Sequence, residues 1–297
     1  MNAIAINHDS FIGLALPALL LAGFIGILAV ETGMLRCPAS LPLAVLPLTV
    51  TIPPAPFPHR PAGDYLQGGI AVSAPLEMTS LDGPLVVMTH EVSTADYARC
   101  VADGACSAPE PSHHGAGDLP VTGVSYNDAA AYAAWLSAHT GETWRLPTVE
   151  EWDFAAGPLA RDHGLEGLTD TADPAQKWLV DFDRAAAERV SGGARPQPLG
   201  AIGPNANGVA DLGGNVWEWT ATCNSRVTLD VAGLVKGTIQ SCGLRVVEGR
   251  HRMPINIFVR DAVRGGCSVG DPPDNLGFRL VLEQPWYARL MAAARSI

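Results

Sequence analysis

Residues 120–156 read PVTGVSYNDAAAYAAWLSAHTGETWRLPTVEEWDFAA and carry the clearest local signals in the chain. Ser125 followed by Asp128 is typical of a capping box, in which each side chain accepts a hydrogen bond from the other residue's backbone amide. Thr148 followed by Glu151 repeats the pattern. The stretch therefore predicts two helices that begin at these caps.

The first of these helices should end at Gly141, because glycine readily adopts the left-handed conformation that closes a helix. Its spacing places Tyr132, Trp135 and Leu136 on one face, as in a helix that packs on a core. The second helix should turn Trp152 inward, together with Ala155 or Ala156. Both helices are thus expected to pack with one face against the core.

Outward from this stretch the helical signals weaken. Upstream, Ser93 or Thr94 can cap a helix that runs to about Asp103 and ends at Gly104. Downstream of Gly157, turn-forming residues separate short strand-like pieces such as 216–220 and 278–282. We find no internal repeat, and we predict an α+β fold with much irregular chain.

The composition supports a folded, loop-rich protein. The 297 residues are 47% hydrophobic and 16% charged, which is unlike a disordered chain. The 31 glycines and 24 prolines disfavour a helical bundle. A formal net charge of -11 repels nucleic-acid phosphates and leaves proteins, metal cations or small molecules as partners.

The N-terminal region has the features of a membrane anchor. Phe11–Val30 carries no charged residue over 20 positions, enough at about 1.5 Å per residue to cross a hydrocarbon core of about 30 Å. The alternative is a cleaved signal peptide, but residues 1–10 contain no Lys or Arg and no clear cleavage site follows the run. We predict a short tail at 1–10 and a transmembrane helix at 11–30.

Two signals for the side of the membrane disagree. Arg36 is the first basic residue and, by the positive-inside tendency, favours a cytoplasmic body. Two pairs of cysteines favour an oxidising compartment, since neither pair has zinc-site spacing and each brackets a loop that a disulfide could close. Buried free thiols are the alternative. The pairs are Cys100 with Cys106 and Cys223 with Cys242.

Proline content sets the predicted domain boundaries. Residues 37–61 contain eight prolines in 25 positions, which prevents helix formation and favours an extended chain. We therefore predict a stalk at 31–61 and a globular body at 62–283. The tail at 284–297 could form a short amphipathic helix that docks on the body or touches the membrane.

Two apparent catalytic patterns fail on inspection. Gly266–Gly270 (GCSVG) fits the nucleophile-elbow formula, but Asp271 and two prolines follow, so no helix can continue from the serine. His113 and His114 could bind copper or zinc, yet adjacent histidines in a Gly, Pro and Ser loop need a third ligand from elsewhere. Neither pattern supports a hydrolase.

A stronger candidate is Asp211–Thr220 (DLGGNVWEWT). Asp211 and Glu218 flank a tight glycine turn, and calcium prefers such carboxylate and carbonyl oxygens. The alternative is a simple turn at Asn215 followed by a strand. The residues alone leave both interpretations open.

The order of these blocks resembles the formylglycine-generating enzyme family, also called the sulfatase-modifying factor family. The residues that carry the resemblance are HEVSTADY from His90, the stretch at 120–156, PNANGVADLGGNVWEWT, and the RGG and NLGFRLV segments. They recur in family order up to Val281. The resemblance implies one compact domain of low regular structure, related to the C-type lectin fold and often carrying structural calcium.

The resemblance also implies which residues would hold that calcium. They are the acid before the glycine turn, two backbone carbonyls and the glutamate after the first tryptophan, here Asp211, Gly214, Val216 and Glu218. The family's second calcium site has no counterpart in residues 178–198. Arg145 and Glu151 match a familiar family block, and we interpret them as an ion pair at a capped helix rather than as catalytic residues.

The sequence departs from oxygen-dependent family members near its end. Those members carry two copper-binding cysteines after the RGG block, whereas here Cys267 is followed directly by SVGDPPDNLGFRLV. Cys267 could bind cuprous ion through one thiolate, with His113 or His114 as a further ligand, but a buried or unreactive thiol is the alternative we prefer. The chain also has no room for the helical domain of the iron-dependent relatives.

These features resemble a membrane-anchored branch of the family, the accessory protein associated with copper nitrite reductase in denitrifying bacteria. The resemblance implies a bacterial inner-membrane protein whose body lies in the periplasm and helps that reductase by binding protein. The alternative is an oxidoreductase that acts through Cys267 and a metal.

Overall fold

The structure is a computed structural model that describes residues 46–110, 115–160, 195–262 and 275–284, with four single positions between 176 and 183. The chain divides into two compact units, Met1–Ser40 and Leu41–Ile297. The first unit, and with it the predicted span at 11–30, lies outside the described residues, as does the tail from 285. No helix in the described ranges is long and apolar enough to cross a membrane.

Three α-helices form where the sequence predicts them. They are α1 (Thr94–Ala102), α2 (Tyr126–Thr140) and α3 (Val149–Ala156), and a short 3-10 helix, Gly157–Leu159, follows the last. Ser93 caps α1, and α2 and α3 each begin with the complete capping box. Gly141 ends α2 in the left-handed conformation, at a φ of 72°.

The described strands are short except for one hairpin. In chain order they are β1 (Thr49–Ile52), β2 (Phe57–His59), β3 (Asp64–Gln67), β4 (Ile70–Val72), β5 (Glu77–Thr79), β6 (Leu85–Met88), β7 (Trp144–Arg145), β8 (Trp217–Leu229), β9 (Val235–Glu248), β10 (Met253–Asn256), β11 (Leu276–Gly277) and β12 (Val281–Leu282).

These strands form three sheets. The first has the order β1-β6-β12-β7 with antiparallel neighbours. The second has the order β10-β9-β8-β3-β4, in which β3 and the short β11 both run parallel to β8. The third is the pair β2-β5. Because parallel and antiparallel neighbours mix and the helices are few, the fold is α+β, as predicted.

The predicted inward faces lie in the core. Tyr132, Trp135 and Leu136 on α2 are buried together with Trp219 and Phe278. On α3, Trp152, Ala155 and Ala156 pack in a second cluster with residues of β1, β2 and β6. The helices α2 and α3 therefore bury their inward faces in two different hydrophobic clusters.

The structure corrects the predicted boundary of the stalk. Part of the proline-rich stretch belongs to the body: β1 pairs with β6, and Ile52 and Phe57 are buried in the second cluster. His59 Nδ1 lies 2.8 Å from Asp153 Oδ2 on α3. The prolines favour extended backbone, and extended backbone with apolar residues between the prolines can pair as strands. The body therefore begins before residue 62.

Both predicted disulfides are present. Cys100–Cys106 joins the end of α1 to the following turn, and Cys223–Cys242 joins β8 to β9. Cys37 and Cys267 lie outside the described residues.

Candidate functional site

The loop that precedes β8 is held by the side chain of Asp211. Its Oδ2 accepts a hydrogen bond from the amide of Gly200 at 2.5 Å, and its Oδ1 accepts one from the amide of Ile202 at 3.0 Å. Asp211 is 1% exposed and is the one described non-glycine residue with a positive φ, 64°. These two bonds compensate a backbone conformation that disfavours most side chains.

Asn215 fixes the other side of the same loop. Its Oδ1 accepts from the amide of Gln197 at 2.8 Å, and its Nδ2 donates to the carbonyl of Gln197 at 3.2 Å. Between these two anchors, Gly214 lies so close to Ile202 that a Cβ there would be 2.9 Å from its Cδ1. The loop is thus a packed turn.

Glu218 forms the charged centre of the site. Its Oε2 and Oε1 accept from Nε and Nη2 of Arg279, each at 2.7 Å, and its Oε2 also accepts from Nε1 of Trp152 at 3.1 Å. Glu218 and Arg279 are both 0% exposed. A bidentate pair of this kind offsets the large cost of burying two charges.

Arg279 connects its own segment to three other parts of the chain. Besides Glu218, its guanidinium donates to the carbonyls of Met88, Thr89 and Ala210 at 3.0 to 3.3 Å. Burial alone would lower the pKa of Arg279, but the carboxylates of Glu218 and neighbouring Glu91 outweigh it and raise the pKa. The residue therefore stays charged and acts as the structural hub between β6, the Asp211 loop and β8.

Glu91 is a second carboxyl group at this centre. Its Oε2 lies 3.7 Å from Nη2 of Arg279, and neither of its side-chain oxygens has a hydrogen-bond partner among the described residues. Burial raises the pKa of Glu91 to about 8, against the opposing effect of Arg279. One arginine thus faces two buried glutamates, and a proton on Glu91 relieves the excess negative charge.

Trp217 is held through both its indole and its backbone amide. Its indole Nε1 donates to the carbonyl of His251 at 3.2 Å, and its amide donates to the carbonyl of Asn275 at 3.0 Å. Gly249 is required beside it, because a Cβ there would come within 2.7 Å of the indole. Cys267, His113 and His114 lie outside the described residues.

The fit of a calcium ion can be judged from the loop's own oxygens. Both oxygens of Glu218 are engaged by a guanidinium, which puts a positive charge where calcium would need a ligand. Both oxygens of Asp211 already accept amides. In the described ranges no group of three or more His, Cys, Asp or Glu side chains could hold a metal ion. The contacts of Glu218 do not fit calcium, and calcium at Asp211, Gly214, Val216 and Glu218 stays a prediction of the resemblance.

Arg145 has the architectural role that the sequence predicts. Its Nη1 and Nη2 donate to the two carboxylate oxygens of Glu151 at 2.7 and 2.6 Å. The hydrogen bond to Glu151 raises the pKa of Arg145. The pair ties β7 to the start of α3.

Sequence reasoning missed Arg279 and Glu91 as central residues. Both stood inside the quoted blocks, Arg279 in NLGFRLV and Glu91 in HEVSTADY. For Arg279 the available signal was a charged residue between the apolar Phe278 and Leu280, since such a residue needs a partner of opposite charge when it is buried. Glu91 follows His90 and carries no such signal. The identity of that partner depends on the tertiary fold.

Comparison with known proteins agrees with this architecture. Residues 41–284 match the sulfatase-modifying factor enzyme 1-like domain. The match covers most of the chain, and the protein belongs to the formylglycine-generating enzyme and sulfatase-modifying factor family.

The relatives include proteins with different activities. The chain is 34% identical over 172 residues to inactive C-alpha-formylglycine-generating enzyme 2 of Mus musculus, covering 54% of this chain and 48% of that protein. It is 36% identical over 175 residues to the formylglycine-generating enzyme of Streptomyces coelicolor, covering 54% and 51%. It is 37% identical over 111 residues to hercynine oxygenase of Mycolicibacterium smegmatis, covering 36% and 22%.

The matched region spans about half the length, or less, of these curated relatives. Among solved structures, PvdO of Pseudomonas aeruginosa superposes with a TM-score of 0.51 at 22% identity, covering 84% of this chain and all of PvdO. This likeness supports the fold. By their names, the curated relatives include both enzymes and a protein that is called inactive.

Proposed function

We propose that this protein is a binding module that uses the family scaffold without the family's oxidase chemistry. The observation that carries the proposal is the segment from Gly265 to Asn275, which contains one cysteine where copper-dependent members carry a pair. A single thiolate gives cuprous ion one soft ligand where a pair would give two. A relative named as inactive at 34% identity supports a scaffold that persists without activity.

The buried charges support the same proposal. The carboxylate oxygens of Glu218 and Asp211 all accept hydrogen bonds from inside the protein. The two carboxylates therefore hold the loop in place and are not available to react with a substrate. A rigid loop is suited to protein recognition because little conformational entropy is lost on binding.

We further propose that the body lies in the periplasm, held at the inner membrane by residues 11–30, and that its client is a copper nitrite reductase. The two disulfides support an oxidising compartment. We choose this client because the shortened segment after the RGG block resembles the family branch that is associated with copper nitrite reductase.

The test is direct binding between the full-length protein in detergent and a purified copper nitrite reductase. We expect a dissociation constant of about 10 μM or tighter, which corresponds to roughly 7 kcal/mol. A second periplasmic copper protein of similar charge serves as the control for nonspecific attraction. Equal binding to both proteins, or to neither, would remove the proposed client.

The alternative is an oxidoreductase that uses Cys267 with copper. One sequence observation favours it: Cys267 directly follows the RGG block, after which copper-dependent members carry their cysteine pair. Copper titration should separate the two, with Cys37→Ser as the matched control for Cys267→Ser. If neither copper affinity nor activity differs between the two variants, Cys267 has no such role.

A further inference from the structure

The two disulfides differ sharply in their access to solvent. Cys100 is 0% exposed and Cys106 is 7% exposed, so this bond lies inside the core beside Tyr97 and Trp135. Cys223 is half-buried, and Cys242 is exposed. A thiol in another protein can approach Cys242 without any opening of the core, and it cannot approach the Cys100–Cys106 bond in that way.

The exposed disulfide stands at a break in the longest hairpin. The β8-β9 register shifts on both sides of Cys223, between Trp219 and Cys223 and between Cys223 and Asn224. Beyond this break, residues 235–243 of β9 are all exposed. Among the described strands, β10 pairs with β9 only from Leu244 to Val247, so the outer arm of β9 is an edge held by β8 and by this disulfide.

A cationic residue lies opposite Cys223 in the hairpin. Its register partner on β9 is Arg245, which places a cationic residue beside it on the same face of the hairpin. The guanidinium of Arg245 stacks over Tyr126 at 4.5 Å and donates to the carbonyl of Ala221, so it is fixed in place. A nearby positive charge stabilises a thiolate and makes it a better leaving group.

We propose that Cys223–Cys242 is a site of thiol–disulfide exchange with a protein dithiol, attacked at Cys242. The partner's thiolate attacks Cys242 Sγ, a mixed disulfide forms, and Cys223 leaves as a thiolate that takes up a proton. The partner's second thiol then attacks the mixed disulfide and releases Cys242. Two electrons pass from the dithiol to this disulfide, and the partner ends as a disulfide. This proposal does not depend on the function proposed above.

Exchange at this site has a structural consequence. Reduction leaves the inner half of the hairpin in place, because Val246 and Val247 are buried. The outer part of β8 also stays in place, because Val227 packs with Tyr65 in a separate cluster. The arm from Val235 to Ser241 loses its covalent tie to β8. The dithiol form should therefore show faster amide exchange in that arm than the disulfide form.

The test uses the full-length protein under native conditions, with any free thiols first blocked by alkylation. A thioredoxin whose resolving cysteine is replaced by serine is then added to trap the mixed disulfide, and dithiothreitol is used in parallel to follow reduction. Peptide mapping should place the trapped thioredoxin on Cys242. Dithiothreitol should reduce Cys223–Cys242 at least about tenfold faster than Cys100–Cys106, which is the internal control.

Trapping on Cys100 or Cys106, or equal rates of reduction for the two bonds, would overturn the proposal. An absence of any trapped thioredoxin at Cys242, under conditions in which dithiothreitol opens the bond, would also overturn it. A Cys223→Ser/Cys242→Ser variant should lose trapping altogether, and trapping that persists in it would also count against the site.

Discussion

Among single residues, Arg279 carries the largest structural role. It neutralises Glu218, faces Glu91 and satisfies three carbonyl groups while fully buried. Arg279→Met should lower the free energy of unfolding by about 3 to 5 kcal/mol, because it leaves the buried carboxylate of Glu218 without a counter-charge. Urea denaturation measures this loss. Arg226→Met, on an exposed position of β8, is the matched control and should change stability by about 0.5 kcal/mol or less.

A loss below about 1 kcal/mol for Arg279→Met would show that Glu218 and Glu91 do not depend on this arginine. The Asp211 loop and β8 would then have to be held by their backbone contacts alone.

Glu91 gives stability a dependence on pH. Its folded-state pKa of about 8 lies above its ordinary value of 4.5, so the folded protein holds a proton that the unfolded chain releases in this range. The stability contributed by this proton is fully present below about pH 4.5 and is lost as pH rises to about 8. Glu91→Gln removes the titration. The variant should therefore gain more than about 1 kcal/mol relative to the wild type between pH 5 and pH 8.5.

Urea unfolding of both proteins across this pH range measures the effect. If the free energies of unfolding of the wild type and Glu91→Gln changed in parallel with pH, Glu91 would not hold a proton in the folded state.

At the level of elements, the Asp211–Glu218 loop and its calcium prediction can be tested together. The contacts of Glu218 predict that chelation leaves the melting temperature of the protein unchanged, because Arg279 already supplies the positive charge. Bound calcium would instead stabilise the folded state by mass action. A fall in melting temperature on chelation, absent in Glu218→Gln, would establish the calcium site and contradict this expectation.

The elements also show what sequence could and could not predict. The helices were predictable because Ser93, Ser125 and Thr148 act on amides within three residues. The hairpin was predicted only as a strand at 216–220, since the outer part of β9 is exposed and lacks the alternation that marks a half-buried strand. Its length is set by pairing with β8.

In the site, too, local features could be predicted from the sequence and long-range contacts could not. Asp211 and Glu218 were identifiable because they flank a glycine turn in one short segment. Their partners come from residues as much as 66 positions away, as with Trp152 and Glu218, and no local pattern marks such contacts. The disulfides could be predicted in part, because the cysteine spacing indicated the two pairs but did not exclude free thiols.

For the whole molecule, the position of β1 and β2 defines where the body begins. A chain truncated to start at Leu41 should unfold cooperatively with a melting temperature within about 4 °C of the full protein. A chain that starts at Ala62 loses Ile52 and Phe57 from the second core cluster and exposes β6 as an edge. Its melting temperature should fall by more than about 10 °C.

Differential scanning calorimetry of the two truncated chains measures this difference. Equal melting temperatures would show that residues 41–61 are the stalk that the proline content first indicated.

We propose above all that the family scaffold here serves binding and not the oxidation of a thiol. The most direct measurement is to incubate the purified full-length protein with cuprous ion, oxygen and a sulfatase-derived cysteine peptide, and to follow the peptide by mass spectrometry. The peptide should keep its thiol, while the Streptomyces coelicolor relative, assayed in parallel, should give the aldehyde. Catalytic conversion of the thiol to an aldehyde by this protein would contradict the claim.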